Sequence, residues 1–294
     1  MDGVINVIKP PLITSFKVVE LIKRKFKVRH IGHLGVLDPI ASGLLQVAVG
    51  SATKLFDYFI TLKRAYRVEL LLGIATDTQD SAGTPIKISD EVSLAGLEEV
   101  INSFKGEILQ VPPMYSTLHY KGRRLYELAR EGMEVPREPR KVIIEDIDIL
   151  EVKDGKYPRV ILDVVCQRGA YIRTLCNDIG EKLGVGGHMA SLIRTRIGSI
   201  DLTKAYPLTE ILERGSSIVD YFMPWTLLEE MKKIELTVKK QMDDFIKGKP
   251  VPLFKLSSSK REFVSVWYNG TCIGVGRVSQ DTLSPIAIER LNVS

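Results

Sequence analysis

Hydrophobic residues along the chain follow two spacings, and each predicts one kind of element. Apolar residues three or four positions apart predict a helix over 16–26, with Ser15 as its N-cap. The same spacing predicts helices over 93–104, from about Arg124 to Gly132, and over 170–184. These stretches are the helical part of the predicted fold.

Alternating or continuous apolar runs predict strands between the helices. They cover residues 3–8, 44–50, 66–73 and 159–169. Strands and helices are mixed without a regular βαβ rhythm. This order favours an α+β fold built on a largely antiparallel sheet.

The pattern changes after about residue 230. Two alternating runs within 263–278 are joined by Asn269-Gly270, and Asn-Gly is a strong signal for a tight β-hairpin. A further strand is predicted over 284–291. We therefore predict a main domain over 1–230 and a small all-β domain over 235–294.

Composition and charge narrow the class of protein. The 294 residues are 45% hydrophobic and 26% charged, which is typical of a globular protein. The net charge is +5, and the basic residues cluster at 23–30, 121–124, 137–141 and 194–196, which favours an anionic partner. Three widely spaced cysteines suit a reducing compartment, and we see no signal peptide and no membrane-spanning run. We expect a cytoplasmic monomer.

One carboxylate, Asp38, is isolated in a basic segment. The stretch from Leu21 to Phe56 contains six Lys or Arg residues and no other acid. A turn cap is one interpretation, because Asp before Pro is common in turns. If the segment binds phosphates, however, a carboxylate there weakens that binding by like-charge repulsion. A role in the chemical reaction therefore explains Asp38 better.

Other candidate residues are fewer. No His or Cys pair has ligand spacing and no phosphate loop is present, so we predict neither a metal site nor a cofactor. Asp77 and Asp80 fit a structural turn. For Tyr66 and Tyr171, packing at the edge of the core is the alternative to a functional role. Arg173, among apolar neighbours, needs an acidic partner, and Asp38 is a natural match.

Several sequence blocks together resemble one family, the TruB family of bacterial tRNA pseudouridine synthases. The catalytic segment of that family is similar to GHLGVLDPIASGLL at 32–45. The other matching blocks are GVINVIKPPLITS, LGIATDTQDSAG, VPPMYSTLHYKGRRLYELAREG, RGAYIRTLCNDIGEKLG and LIRTRIG. Together they span about residues 3–198. The C-terminal domain resembles, less specifically, the RNA-binding PUA domain of that family.

The resemblance implies an activity and a set of roles. The expected reaction converts the T-loop uridine of tRNA to pseudouridine after base flipping, and the expected partner is the T-arm. The implied catalytic residues are Asp38, Tyr66, which stacks on the uracil, and Arg173, which pairs with Asp38. The implied substrate contacts are Tyr171 and Leu192 in the uracil pocket, His33 at the loop nucleotides, Lys9 near the RNA backbone, and Asp80 in the charge network around Arg173.

The chain departs from the family pattern at Leu34 and Val36, and at Arg64, which stands where a lysine is usual, two residues before Tyr66. The first two replace common threonines, so no side-chain hydroxyl is present there to contact RNA. Two alternatives stay open. One is a guide-RNA-dependent pseudouridine synthase, and the other is a non-catalytic RNA-binding protein or RNA chaperone that has the same fold.

Overall fold

The computed structural model describes residues 2–253 and 262–289, and these form helices and strands in mixed order. The α-helices are α1 (Ser15–Phe26), α2 (Phe56–Phe59), α3 (Leu97–Asn102), α4 (Leu125–Arg130), α5 (Ile172–Lys182), α6 (Leu208–Glu213) and α7 (Lys239–Ile246). The strands are β1 (Gly3–Lys9), β2 (Ile31–His33), β3 (Ser42–Val49), β4 (Arg64–Leu72), β5 (Ile74–Thr76), β6 (Pro85–Ile88), β7 (Gly106–Gln110), β8 (His119–Tyr120), β9 (Arg123–Arg124), β10 (Arg140–Lys153), β11 (Arg159–Cys166), β12 (Gly187–Ile197), β13 (Ile200–Asp201), β14 (Tyr206–Pro207), β15 (Lys232–Leu236), β16 (Val251–Pro252), β17 (Glu262–Tyr268), β18 (Thr271–Ser279) and β19 (Thr282–Ile288).

The chain divides into two compact units. The split unit comprises residues 1–62 and 196–294, and the central unit comprises residues 63–195. In the split unit, β1 pairs antiparallel with β3 and parallel with β14, while β2 pairs antiparallel with β3. Helix α1 places its apolar face on this sheet, because Val18, Val19 and Ile22 lie in one core with Ile5 and Val47.

The central unit is built on the strand order β12-β4-β11-β10-β7. Strand β11 pairs antiparallel with β4 and β10, and β10 pairs antiparallel with β7. Helix α5 lies very close to the start of β12. A Cβ at Gly180 would stand 2.2 Å from the backbone nitrogen of Gly187, so only glycine permits this approach.

The C-terminal strands form a separate five-stranded sheet in the order β15-β17-β18-β19-β16. Its hairpin turns at Asn269 and Gly270, which both have positive φ, as the sequence predicted. One side has its own core around Phe245. On the other side, Cys272 and Val275 belong to the same buried cluster as Phe59 and Trp225.

The predicted domain boundary coincides with the start of this sheet at Lys232, but the two compact units do not divide there. The division into 1–230 and 235–294 therefore stays a prediction, and part of the second range, 254–261 and 290–294, lies outside the described residues. Because the sheet completes a core of the split unit, removing it would expose buried apolar surface.

The largely antiparallel mixed sheet and the separate β-sheet confirm the predicted fold class. Two details of the elements differ from the predictions. The N-cap of α1 is Thr14, whose hydroxyl accepts the backbone N–H of Lys17, whereas Ser15 is the first helical residue. Helix α3 is only six residues long. In the described residues, no helix is long and apolar enough to cross a membrane.

Candidate active site

Asp38 lies in a loop between β2 and β3 that is fixed to the start of α1. The Ser15 hydroxyl donates to the carbonyl of Leu37 at 3.1 Å and accepts its backbone N–H at 3.0 Å. The backbone N–H of Leu12 donates to the carbonyl of Pro39 at 2.8 Å. The two residues that flank Asp38 are thus held by bonds to the same segment, while Asp38 itself stays half-buried.

Lys9, at the end of β1, is fully buried against this loop. Its Nζ donates to the carbonyls of Pro10, Ile13 and Pro39 at 2.8 to 3.1 Å. The place near the RNA backbone that the resemblance implies for Lys9 stays a prediction, and the bonds seen in the structure are those of its buried ammonium to backbone carbonyls. We propose that Lys9 positions the loop that carries Asp38.

We expect Lys9→Met to lower the free energy of unfolding by about 2–4 kcal/mol. The apolar stem would stay buried, but three backbone carbonyls would lose the ammonium as a donor, and of these the carbonyl of Pro39 keeps the Leu12 N–H. Denaturant unfolding measures the change. Lys17→Met is the matched control, since Lys17 is exposed in an ion pair with Glu20 and its loss should cost under about 1 kcal/mol. Equal losses for the two variants would contradict the positioning role.

His33 precedes the loop as the last residue of β2. It lies opposite Val47 of β3 in the antiparallel strand register, and its side chain is half-buried. The backbone N–H of the next residue, Leu34, donates to the carbonyl of Gln46. His33 therefore lies at a fixed strand end just before the loop that carries Asp38, and its predicted role at the RNA stays a prediction.

Tyr66 lies in β4, opposite Val164 of β11, and is buried. Its phenol hydrogen-bonds with the guanidinium of Arg194, which is itself only 1% exposed. Arg64, two residues earlier in β4, is a second cation close to the ring. The departure from the family pattern at Arg64 thus keeps a positive charge beside Tyr66.

The balance of burial and charge decides the state of Tyr66. Burial raises the pKa of its phenol, and the nearby guanidiniums of Arg194 and Arg64 only partly offset this. The phenol is therefore neutral at physiological pH and carries a proton that it can donate. Burial and the neighbouring Arg194 also lower the pKa of Arg64, yet a guanidinium stays charged.

Arg173 lies in the first turn of α5 and pairs with Asp80. The distance between its Nη1 and Oδ2 of Asp80 is 3.5 Å, and both side chains are 6% exposed. The guanidinium also donates to the carbonyls of Thr78 and Tyr115. This arrangement agrees with the prediction that Asp80 belongs to the charge network around Arg173.

The turn that holds Asp80 is organised by the carboxylate itself. Its Oδ1 accepts the Thr78 hydroxyl at 2.7 Å and the backbone N–H of Ala82 at 3.0 Å. The predicted structural turn is therefore present. Its acids serve the fold of the turn, and within 2–253 and 262–289 no group of three or more His, Cys, Asp or Glu side chains is arranged to hold a metal.

We expect Arg173→Met to destabilise the protein by about 3–5 kcal/mol, because it leaves the Asp80 carboxylate buried without its cation. Adding Asp80→Asn should recover part of this loss, since the amide oxygen still accepts the two turn hydrogen bonds. Denaturant unfolding of the two single variants and the double variant measures the coupling.

The control for this pair is Arg67→Met, which breaks the exposed ion pair with Asp163. Those side chains are 51% and 38% exposed, so the change should cost no more than about 1 kcal/mol. A loss for Arg173→Met no larger than this control, or a double variant no more stable than the single, would show that the pair does not act as a buried unit.

Tyr171 and Leu192 have defined places in the central unit. Tyr171 is the N-cap residue of α5, and its backbone is held by Gln110, whose side chain accepts its N–H at 2.9 Å and donates to its carbonyl at 3.2 Å. Leu192 is buried in β12. The predicted uracil-pocket role of these two residues stays a prediction.

Sequence reasoning missed three residues that organise the candidate site. They are Ser15, Gln110 and Arg194, all nearly or fully buried polar side chains. Arg194 had one signal in the sequence, because it lies in the matched block LIRTRIG. The bonds of Ser15 and Gln110 join segments distant in sequence, and no local pattern identifies them.

The candidate residues fall in both units. Asp38, His33 and Lys9 belong to the split unit, whereas Tyr66, Arg173 and the other candidates belong to the central unit. The predicted pairing of Asp38 with Arg173 stays a prediction, and the interaction seen inside the central unit is the ion pair with Asp80.

Comparison with known proteins defines first the class and then the family. The chain is similar to a chain in the crystal structure of a Cbf5-Nop10-Gar1 complex, with a TM-score of 0.66, 25% identity, and coverage of 98% of this chain and 83% of that chain. The fold is that of the pseudouridine synthases.

Two sequence models match consecutive stretches. Residues 23–172 match the TruB family pseudouridylate synthase N-terminal domain, and residues 173–222 match the tRNA pseudouridylate synthase B C-terminal domain. Among curated relatives, the chain is 49% identical to tRNA pseudouridine synthase B of Moorella thermoacetica over 72% of each chain. It is 44% identical to that of Clostridium tetani over 80% of this chain and 81% of the relative. The chain belongs to the TruB family of pseudouridine synthases.

Proposed function

We propose that the protein converts the T-loop uridine of tRNA, at position 55, to pseudouridine. The observation that carries the proposal is Asp38, the single acid of the basic segment 21–56, on a loop fixed on both sides of it, in a chain of the TruB family. A loop held in this way presents its carboxylate in one orientation, and a reaction at a single atom of the substrate requires that.

The reaction is an isomerisation. The bond between N1 of uracil and C1′ of the ribose breaks, the base turns, and a bond forms between C5 and C1′. The hydrogen lost from C5 is balanced by the one gained at N1, so neither an oxidant nor an energy source is consumed. Asp38 acts as a nucleophile, at C1′ or at C6, or takes a proton from the sugar.

The remaining residues bind the flipped base and the nucleotides around it. Unstacking the target uridine costs a few kcal/mol. Stacking on Tyr66 returns about 1–3 kcal/mol of this. The neutral phenol, hydrogen-bonded to Arg194, can also donate a proton during the turn of the base. Tyr171 and Leu192 line the pocket for uracil, and His33 contacts the rearranged loop nucleotides.

The partner that we propose is the T-arm of tRNA, bound by a monomer in the cytoplasm. The five-stranded sheet of 232–288 then serves RNA binding in the manner of a PUA domain, and the basic clusters neutralise backbone phosphates. Every proposed catalytic residue precedes residue 200, so this sheet contributes to affinity and not to the chemical step.

Incubation of the purified chain with unmodified tRNA, followed by carbodiimide mapping of pseudouridine, tests the proposal. We expect product at position 55 with nothing else added. The structural similarity to the Cbf5-Nop10-Gar1 complex keeps a guide-RNA-dependent synthase as the second candidate. Product that appears only with a guide RNA and added proteins would favour that candidate, and tRNA binding without product would favour a non-catalytic RNA-binding protein.

A further inference from the structure

The split unit contains an open cavity of about 710 Å³ at the far end of α1 from the Asp38 loop. Its lining includes the basic side chains of Lys27, Arg29, His30 and Lys54. The buried apolar residues Val49 and Ile218 also line it. The cavity therefore combines an apolar floor with a basic rim.

The charge of the lining is strongly one-sided. Asp2 is the single acidic residue among the lining residues, and its carboxylate accepts the backbone N–H of Ser51 at 2.6 Å. The three exposed Lys and Arg residues outnumber it. A cavity of this composition attracts an anion and rejects a cation.

We propose that this cavity is a second RNA-binding site, which holds backbone phosphates of the bound tRNA outside the reacting loop. The inference rests on the proposed function and adds a place and a chemistry to it. The basic residues come from two separate segments, the chain after α1 and the turn that contains Lys54. Cations spread in this way suit a strand with several phosphates better than one small anion, and the apolar floor suits the ribose faces between them.

The length of α1 separates this site from the chemistry. The helix has 12 residues, and at about 1.5 Å per residue it places about 18 Å between Ser15, which bonds the Asp38 loop, and the cavity. This exceeds the Debye length of about 10 Å at 0.1 M salt. The cavity cations therefore contribute to the affinity for RNA while their field at Asp38 is largely screened.

The decisive variant is Lys27→Gln/Arg29→Gln/Lys54→Gln, measured with transcribed, unmodified tRNA. We expect affinity at 0.1 M salt to fall at least tenfold. The slope of log affinity against log salt should become shallower by about 2–3, because three phosphate contacts are lost. The single-turnover rate at saturating enzyme should stay within about twofold of wild type.

The matched control is Lys105→Gln/Lys153→Gln/Lys156→Gln, which removes the same charge from exposed positions of the central unit. It should keep the affinity within about threefold. Asp2→Asn should change the tRNA affinity in the opposite direction. It removes the single acid of the cavity lining and should tighten tRNA binding severalfold, while the amide oxygen still accepts the Ser51 N–H.

An equal loss of tRNA affinity in the cavity variant and the control would overturn the proposal, since the change in net charge alone would then explain the loss. So would an unchanged salt slope, or a cavity variant with normal affinity and a slow single turnover. A wild-type protein that binds tRNA without making product would contradict the proposed function. The comparison of tRNA affinity between the cavity variant and the control would still test the cavity.

Discussion

Asp38→Asn is expected to abolish pseudouridine formation while leaving tRNA affinity within a few-fold of wild type. The amide has the size of the carboxylate but can neither attack carbon nor accept the proton that the reaction requires. Turnover should fall by more than 10⁴-fold, which corresponds to more than about 5.5 kcal/mol of barrier. Single-turnover mapping at saturating enzyme measures the rate, and filter binding measures the affinity.

The fold should survive this substitution for a reason visible in the structure. The loop is held through Ser15, Leu12 and Lys9, which bond backbone atoms of Leu37 and Pro39. Arg173 keeps its buried ion pair with Asp80. Denaturant unfolding of the wild-type and variant proteins checks that the loss of activity comes from the carboxylate and not from unfolding.

The matched control is Asp57→Asn, the same change at an exposed acid near the end of the basic segment. It removes the same charge and should leave turnover within about twofold. A folded Asp38→Asn protein that retains a tenth of wild-type turnover would lose only about 1.4 kcal/mol of barrier. That is too little for a nucleophile or base, and Asp38 would then be a turn cap.

The elements that the sequence predicted well are those with one dominant local signal. The alternation of Val68, Leu70 and Leu72 identifies β4 because one face of the strand is buried. Asn269-Gly270 identifies the hairpin because both residues must adopt positive φ. The residues within each of these short segments carry the signal, so the segments can be recognised without knowledge of the rest of the fold.

The features that the sequence did not predict depend on contacts between distant segments. Ser15 has the residue type of a helix cap, but its hydroxyl bonds Leu37, 22 residues away, and Thr14 caps the helix. Lys9 has the residue type of a phosphate contact, but the loop after Asp38 closes over it and buries it. Burial of a polar side chain is a property of tertiary packing, and residue type does not reveal it.

The candidate site shows the same distinction. The isolation of Asp38 in a basic segment is visible in the sequence itself. Arg194 becomes important only because β4 and β12 lie side by side in the central unit, which brings its guanidinium to the phenol of Tyr66. The resemblance to a family supplied the role of Tyr66, whereas the structure supplied the group that orients its hydroxyl.

Tyr66→Phe is expected to slow the single-turnover rate by about 10²–10⁴-fold, the usual contribution of a positioned proton donor. The ring can still stack on the flipped base, so tRNA affinity should stay within a few-fold. Because burial raises the pKa of Tyr66 above its ordinary value near 10, the phenol keeps its proton throughout the neutral range. The wild-type rate should therefore show no fall across the neutral range from ionisation of this residue.

The substitution also leaves Arg194, which is almost fully buried, without the oxygen that it contacts, so stability should fall by about 1–3 kcal/mol. Rates must be compared at a temperature at which both proteins are folded. Tyr221→Phe is the control, because it removes a buried hydroxyl, bonded to the carbonyl of Glu210, in the split unit, and should not change the rate. If Tyr66→Phe turned over as fast as this control, the hydroxyl would have no part in the chemistry, and stacking alone would account for the tyrosine.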